Sequence, residues 1–212
     1  MKTLAEIKHK TPQDYITCVT FHGHSCPGLV YGYLVAKEAT RLLNLKRSSD
    51  EEVIAICEND SCAVDALQVI LGTSAGKGNL VVRNYGKNAY TIMKRGTKQA
   101  YRFARKKDYT YTGKHQDEFD TLGEAFDSGK ATQKEKIRYK KLKVENLLNK
   151  HFNDIFDTKK VDAILPPYAP LSSSAPCAIC GEMTMSSKMI SLENGSLACM
   201  PCMGKTLQHH DK

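Results

Sequence analysis

No stretch of this 212-residue chain approaches the roughly 20 consecutive apolar residues needed to cross a bilayer, so the sequence predicts a soluble protein with no membrane-spanning segment. Nor does Met1-Lys2-Thr3-Leu4-Ala5-Glu6-Ile7-Lys8 contain an apolar run of signal-peptide length. Eight cysteines could otherwise suggest a secreted disulfide scaffold; without that run the expected compartment is a reducing cytoplasm. A phosphate loop is missing as well. Gly76-Lys77-Gly78 has only three residues between Gly72 and its Gly-Lys pair where a Walker motif needs four, and Gly78 stands where the Ser or Thr hydroxyl belongs. Lys77 could still present a cation to an anionic ligand from this flexible loop. The chain contains no internal repeat.

What is present begins at the far end. Cys177-Ala178-Ile179-Cys180 and Cys199-Met200-Pro201-Cys202 are two Cys-x-x-Cys pairs separated by eighteen residues, the spacing of a four-thiolate zinc site. Each pair fits a short turn that aims two sulfurs at one ion, and Gly181 suits the tight turn that follows. A redox dithiol beside a chance pair is the alternative, and the paired spacing favours zinc. Residues 176 to 212 are too few for a stable core of their own, so the metal is expected to supply most of the folding free energy there. The preceding chain is long enough for one domain of ordinary size. Pro166-Pro167-Tyr168-Ala169-Pro170-Leu171-Ser172-Ser173-Ser174-Ala175-Pro176 is the clearest linker. The predicted organisation is a core over residues 1–165, a linker over 166–175 and a zinc-binding tail over 176–212.

The formal net charge is +8, carried mainly by two segments. Lys94, Arg95, Lys98, Arg102, Arg105, Lys106 and Lys107 form one; Lys130, Lys134, Lys136, Arg138, Lys140, Lys141 and Lys143 form the other. Asp108, Asp117, Glu118, Asp120, Glu124 and Asp127 lie between them and could pair with either. The tail is balanced, with Lys188, Lys205 and Lys212 against Glu182, Glu193 and Asp211. A ribbon that grips phosphates is normally basic itself, so nucleic acid is a candidate partner that the distribution does not favour.

Thr11-Pro12-Gln13-Asp14 reads as a helix start with Thr11 as N-cap, and Tyr15, Val19 and His22 share one face of that helix. Gly23 stops it and Pro27 opens a second, with Leu29, Val30, Tyr33, Leu34, Ala36, Leu42 and Leu43 at helical spacing. Glu52 to Glu58 has the β-branched run of a buried strand, followed by a polar cluster that caps a helix from about Cys62 to Leu71. Leu80–Arg83 and Ala89–Met93 are expected to form a hairpin about Gly86. Glu135 to Phe152 reads as helical, with its lysines as a solvated face.

The junction Phe21-His22-Gly23-His24-Ser25-Cys26-Pro27-Gly28 gathers two imidazoles and a thiol at a helix start, where the dipole favours a thiolate at Cys26. Cys62 stands at the start of the third helix, so the same argument applies. If the fold brings them together, His22, His24, Cys26 and Cys62 form a metal or reaction site; otherwise the thiols are small buried residues and a histidine caps backbone.

Four motifs in order, His22-Gly23-His24-x-Cys26-Pro27-Gly28-Leu29, Glu58-x-Asp60-x-Cys62-Ala63-Val64-Asp65-Ala66-x-Gln68, Gly76-Lys77-Gly78-Asn79-Leu80 and Tyr85-Gly86-Lys87, resemble the family of FmdE, a component of formylmethanofuran dehydrogenase. The likeness is dense from Tyr15 to Arg95, and the tail matches longer members with a C-terminal zinc finger. The resemblance implies an α+β core with a mainly antiparallel sheet and flanking helices, then a small four-cysteine zinc-ribbon or treble-clef-like domain, in an intertwined homodimer. It implies a core site in which His22, Cys26, Cys62 and Lys77 are candidate catalytic residues and His24, Asp65 and Gln68 candidate cofactor-binding residues. Cys177, Cys180, Cys199 and Cys202 would hold the structural zinc, and a second metal ion could sit in the core. The family takes its name from an enzyme of one-carbon metabolism, so the implied role is a catalyst or accessory in one-carbon or molybdenum and tungsten enzyme metabolism. The other reading is a regulatory homodimer whose finger contacts a protein or nucleic acid. One departure stands out: family members often have Gly-Cys-Thr where this chain has Gly72-Thr73-Ser74, so a thiol that could serve the core site is absent and Thr73 is a poor ligand for a soft metal.

Overall fold

The computed structural model describes residues 11–204 apart from 98, 107, 163 and 170. The readings that involve Met1–Lys8, Lys98, Lys107, Pro170, Lys205, Asp211 and Lys212 lie outside the described residues. The chain divides into two compact units, Met1–Leu165 and Pro166–Lys212.

The first unit is α+β. Its helices α1 (Gln13–His22), α2 (Pro27–Leu43), α3 (Ala63–Leu71), α4 (Gln116–Asp127), α5 (Gln133–Leu148) and α6 (Phe152–Ile155) accompany strands β1 (Val53–Cys57), β2 (Leu80–Val82), β3 (Ala89–Lys94), β4 (Ala100–Arg105) and β5 (Phe156–Lys160). The five strands form one sheet in the order β2-β1-β3-β4-β5. Only β1 and β2 run parallel; every other pairing in this sheet is antiparallel. The hairpin expected between Leu80–Arg83 and Ala89–Met93 does not form. β1 lies between those two strands, Ala55 opposite both Leu80 and Ile92. The reason is burial: all five residues of β1 are buried, which suits a central strand with neighbours on both edges, whereas the three residues of β2 are partly open and suit an edge. α3 provides the crossover that a parallel pair requires.

α2 carries the core. Leu29, Val30, Val35, Ala36 and Ala39 are fully buried, as are Leu67 of α3 and Ile92 of β3. Each large aliphatic side chain buried in this way stabilises the fold by about 1.5–3 kcal/mol. Gly32 permits an unusually close crossing of α2 on α3, because a Cβ there would lie 2.0 Å from the Ala63 carbonyl oxygen. α1 begins one residue later than the sequence suggests, with Pro12 as its N-cap, and it is fastened to α2 by Asp14, which accepts from Tyr33 Oη at 2.7 Å and Lys37 Nζ at 2.7 Å.

Beyond Tyr101, where sequence periodicity fades, the basic segment is a strand. Arg102 in β4 makes a two-pronged contact with Glu58 at 2.7 and 2.9 Å, and Arg95 pairs with Glu51 at 3.0 Å with both side chains nearly buried. In the second basic segment Arg138 of α5 pairs with Glu118 of α4 at 2.7 Å. α5 itself opens with a capping box, Thr132 and Glu135 each bonding the other's backbone N–H. Several of the cations that raise the net charge therefore hold the core together.

The second unit consists of two hairpins, β6 (Ser174–Pro176) with β7 (Met183–Met185) and β8 (Met189–Ser191) with β9 (Leu197–Cys199), each followed by a single 3-10 turn. β6 starts inside the stretch read as linker. Its short pairing tolerates Pro176, whose missing N–H matters little on a two-stranded edge. The buried residues here are Cys177, Ala198 and Cys199, with Met189, Leu192, Cys202 and Met203 partly covered.

Candidate metal centres

The tail cluster arises locally. Gly181, in the left-handed region at φ 77°, returns its N–H to the Cys177 carbonyl at 2.9 Å and closes the first Cys-x-x-Cys turn. Gly204, at φ 63°, caps the 3-10 turn that carries Cys202, donating its N–H to the Pro201 carbonyl at 3.0 Å. The hairpins bring the turns together, and the Sγ atoms of Cys177, Cys180, Cys199 and Cys202 all lie within 4.8 Å of one another. A tetrahedral ion with bonds of about 2.3 Å needs sulfurs about 3.8 Å apart, and Cys180 and Cys199 stand at 3.9 Å. The backbone N–H groups of Ile179 and Cys199 point at Cys177 Sγ from 3.4 and 3.2 Å. N–H groups of Cys180, Cys199 and Ile179 bring the Cys177 thiol down to about 6, while Cys199 and then Cys180 push the Cys202 thiol up to about 12. Four thiols so close cannot all ionise without a cation among them. The donor set fits a metal ion.

The core cluster is assembled from three places in the chain. α1 ends at His22 with Gly23 in the left-handed conformation, and the turn that follows is held by Ser25, whose Oγ bonds Tyr15 Oη at 2.8 Å. Cys26 then caps α2, accepting the Leu29 N–H on Sγ at 3.4 Å. Cys62 stands at the N-cap of α3, and the close crossing at Gly32 sets the two helix starts side by side. At Gly28 an added Cβ would lie 3.1 Å from Cys62 Cβ, 3.7 Å from Cys62 Sγ and 3.9 Å from Cys26 Sγ. The ligand atoms of His22, His24 and Cys26 lie within 4.8 Å of one another, and the two imidazoles are 4.5 Å apart, centroid to centroid.

Asp65, on the first turn of α3, accepts from His22 Nδ1 at 2.6 Å, and its other oxygen accepts from Gln68 Nε2 at 3.1 Å. With Nδ1 occupied, Nε2 faces Cys26 Sγ at 3.8 Å. A carboxylate behind a histidine in this way fixes the ring and its tautomer for a ligand or a proton acceptor at Nε2. The thiolate expected at Cys26 is not favoured by its surroundings. Burial pushes the thiol up, against the Leu29 N–H, and nearby Cys62 raises it further. A bound cation would reverse that balance.

Lys77 lies at the opposite end of α3. Its ammonium donates to the carbonyls of Ser48 at 3.2 Å, Ser49 at 3.4 Å and Gly72, where α3 ends. Nine helical residues put it about 14 Å from the Cys62 end. The loop around it is structural too: the fully buried Asn79 accepts from the Ser74 N–H at 2.8 Å and donates to the Asp50 and Val53 carbonyls at 3.0 and 2.9 Å. Thr73 is at this same end, so within one chain a cysteine there would not reach His22 and Cys26. Its buried hydroxyl has no hydrogen-bond partner among the described residues.

Two residues that the sequence did not single out build the site. Asn59 is buried, donates to the Lys87 carbonyl at 2.8 Å and accepts from Ser61 Oγ at 2.9 Å, which pins the turn leading to Cys62. Ser25 does the equivalent for Cys26. Their positions beside ligand-type residues were the available signal.

The family model described as FmdE, molybdenum formylmethanofuran dehydrogenase operon, matches residues 21–161, a span that includes the whole core cluster. The chain belongs to the FmdE family. A solved structure of a tungsten formylmethanofuran dehydrogenase FmdE-like protein from Syntrophus aciditrophicus is similar with a TM-score of 0.58 and 20% identity, covering 92% of this chain and 93% of that one. At that identity the likeness establishes the fold. A probable S-adenosyl-L-methionine-binding protein of Archaeoglobus fulgidus is 35% identical over 79 residues, which is 35% of this chain and 22% of the relative. This FmdE chain thus matches only about a fifth of that protein's length. Among the described residues no helix is long and apolar enough to cross a membrane.

Proposed function

We propose that this FmdE protein is a two-site metal protein, with a structural zinc on Cys177, Cys180, Cys199 and Cys202 and a second ion on His22, His24 and Cys26, next to Cys62. The core unit would then be a catalyst or accessory in one-carbon or molybdenum and tungsten enzyme metabolism. The observation that carries this reading is the orientation of His22: Asp65 holds Nδ1 at 2.6 Å and leaves Nε2 facing Cys26 Sγ. Asp65 fixes the ring, Gln68 fixes Asp65, and exposed His24 marks the side open to solvent. Three protein ligands leave a coordination position for water or substrate, where a bound ion would supply Lewis-acid chemistry. The tail ion has four protein ligands and no such position, which suits a structural role.

A non-catalytic reading is favoured by one feature of the tail, where Ile179 and Met183 are 57% and 68% exposed and could meet a protein partner. The expected assembly is a homodimer in the cytoplasm, and light scattering on the purified protein should give twice the chain mass.

Elemental analysis of the full chain separates the two readings. Two metals per chain are expected, one lost in Cys180→Ser and the other in His22→Ala. A single metal, lost in Cys180→Ser and unaffected in His22→Ala, would remove the core centre and leave the binding reading.

A further inference from the structure

A cavity of about 430 Å³ opens between α2, the end of β4, the segment leading to α4 and the C-terminal end of α5. It shares no residue with the His22 centre. Gly28 and Gly32 mark the α2 face that meets Cys62 and α3, whereas Tyr31 lies against Phe156 of β5, 6.0 Å between ring centroids.

Its walls combine cations with aromatic rings. Arg105 lies over the Tyr31 ring at 5.5 Å, and Lys150 lies 5.8 Å from the centre of the Tyr109 ring while donating to Thr112 Oγ1 at 3.0 Å. Lys143 approaches the same Tyr109 ring at 4.6 Å. Tyr109 is fixed by its hydroxyl, which donates to Asn146 Oδ1 at 2.7 Å. Among the described residues, the acidic partner of Arg105 is Asp108, at a long 3.6 Å and with its own side chain fully in solvent; Asp154 is likewise exposed at the rim. The carboxylates therefore stand in water while the guanidinium, 28% exposed, lies inward. Arg105 and Lys150 both line the cavity, and Lys143 stands behind Tyr109, outside the lining. Burial, and then Arg105, hold the Lys143 ammonium below its ordinary value, against the opposing pull of Asp127.

We propose that this cavity binds a small molecule bearing a diphosphate, gripped by the Arg105 fork and by Lys150. A guanidinium held on an aromatic face is pre-oriented for paired bonds to phosphate oxygens, and a flexible ammonium supplies a second point charge. The volume lies in the range of small-ligand sites.

Calorimetric titration of the full, metal-loaded chain with inorganic pyrophosphate, at constant ionic strength and against a chloride control, tests this. Saturable binding at one site per chain is expected, equal in wild type and His22→Ala, and weakened roughly tenfold or more in Arg105→Gln and in Lys150→Gln. Lys150→Gln alters a partly exposed side chain beyond the end of α5 and keeps the test valid if Arg105→Gln fails to fold. Absence of saturable heat at millimolar pyrophosphate, undiminished affinity in Lys150→Gln, or binding abolished by His22→Ala would each overturn the proposal, the last by placing the anion at the core centre.

Discussion

The two cysteine-containing clusters of this FmdE protein are built in opposite ways. In the tail the ligands form the core: the buried residues are Cys177, Ala198 and Cys199, and among its described residues no Leu, Ile or Phe is fully covered. In the first unit the apolar core is built mainly from aliphatic and aromatic side chains of α2, α3 and the sheet; Cys26 and Cys62 join it at one edge, where two helix starts meet beside His22 and His24. The tail is therefore expected to depend on a metal ion for its fold, whereas the core cluster depends on the fold for its geometry.

Breaking the tail should produce the largest effect. Cys180→Ser is expected to release the tail metal and unfold residues 176–204 while the first unit stays folded, read as loss of bound metal together with proteolytic cleavage confined to the chain beyond Leu165. Retained metal would mean that three thiols suffice.

The converse experiment attacks the fold that supports the core centre. Gly32→Ala would press a Cβ into the Ala63 backbone, at 2.0 Å from its carbonyl oxygen. Destabilisation of about 3 kcal/mol or more is expected, towards the upper end for overpacking, with α2 and α3 forced apart. Thermal unfolding should move markedly for the first unit and leave tail metal content unchanged. An unaltered transition would show that the crossing is looser than the contact implies.

A more selective change is Asp65→Asn, which keeps the shape and removes the anion behind His22. Metal affinity of the core centre should fall roughly 10–100-fold, with metal binding by the tail untouched. Competition with a chromophoric chelator measures it. Equal affinity in variant and wild type would mean that the His22–Asp65 contact does not support a ligand.

Acid should separate the two units most gently. The Glu52 carboxyl is held down to about 2, against an ordinary 4.5, first by the Ser48 hydroxyl and then by the Asp50 N–H. A carboxyl lowered in the folded state stabilises above its ordinary range and loses that contribution as the pH falls from about 4.5 towards 2. Thiolate ligands take up protons and release metal on acidification, so the tail should melt before the first unit. Glu52→Gln should flatten the lower part of the acid-unfolding curve of the first unit, followed by tyrosine circular dichroism. If both units lose structure together, their stabilities are not independent in the way the buried residues suggest.

Much of the fold was legible where neighbours in sequence decide the outcome. The stop at Gly23, the start at Pro27, the strand at Val53–Cys57 and the helix ending at Leu71 follow from capping, fixed φ and β-branched runs. The predicted hairpin failed because strand adjacency is decided by which strand the core buries most completely, and local turn residues around Gly86 cannot express that. β4 was not recognised because its arginines break the apolar alternation of a strand; Arg102 pairs with Glu58 and Arg105 lies on Tyr31. Lys77 resembled a ligand-binding cation in a glycine-rich loop, and three backbone carbonyls claim it instead.

The sequence by itself determined the tail: two pairs of thiols, each within four residues, the first followed by Gly181, which is free to adopt positive φ, leave little for distant contacts to decide. It also placed His22 and Cys26 at one junction. Only the tertiary structure decided that Asp65, 43 residues on, stands behind His22, that Cys62 adjoins Cys26, and that Arg105 and Lys150 face one cavity. Short-range sterics and capping act between neighbours in the chain and can be read from them. A contact between distant residues exists only once packing, here the Gly32 crossing and the burial of β1, has fixed where each element lies.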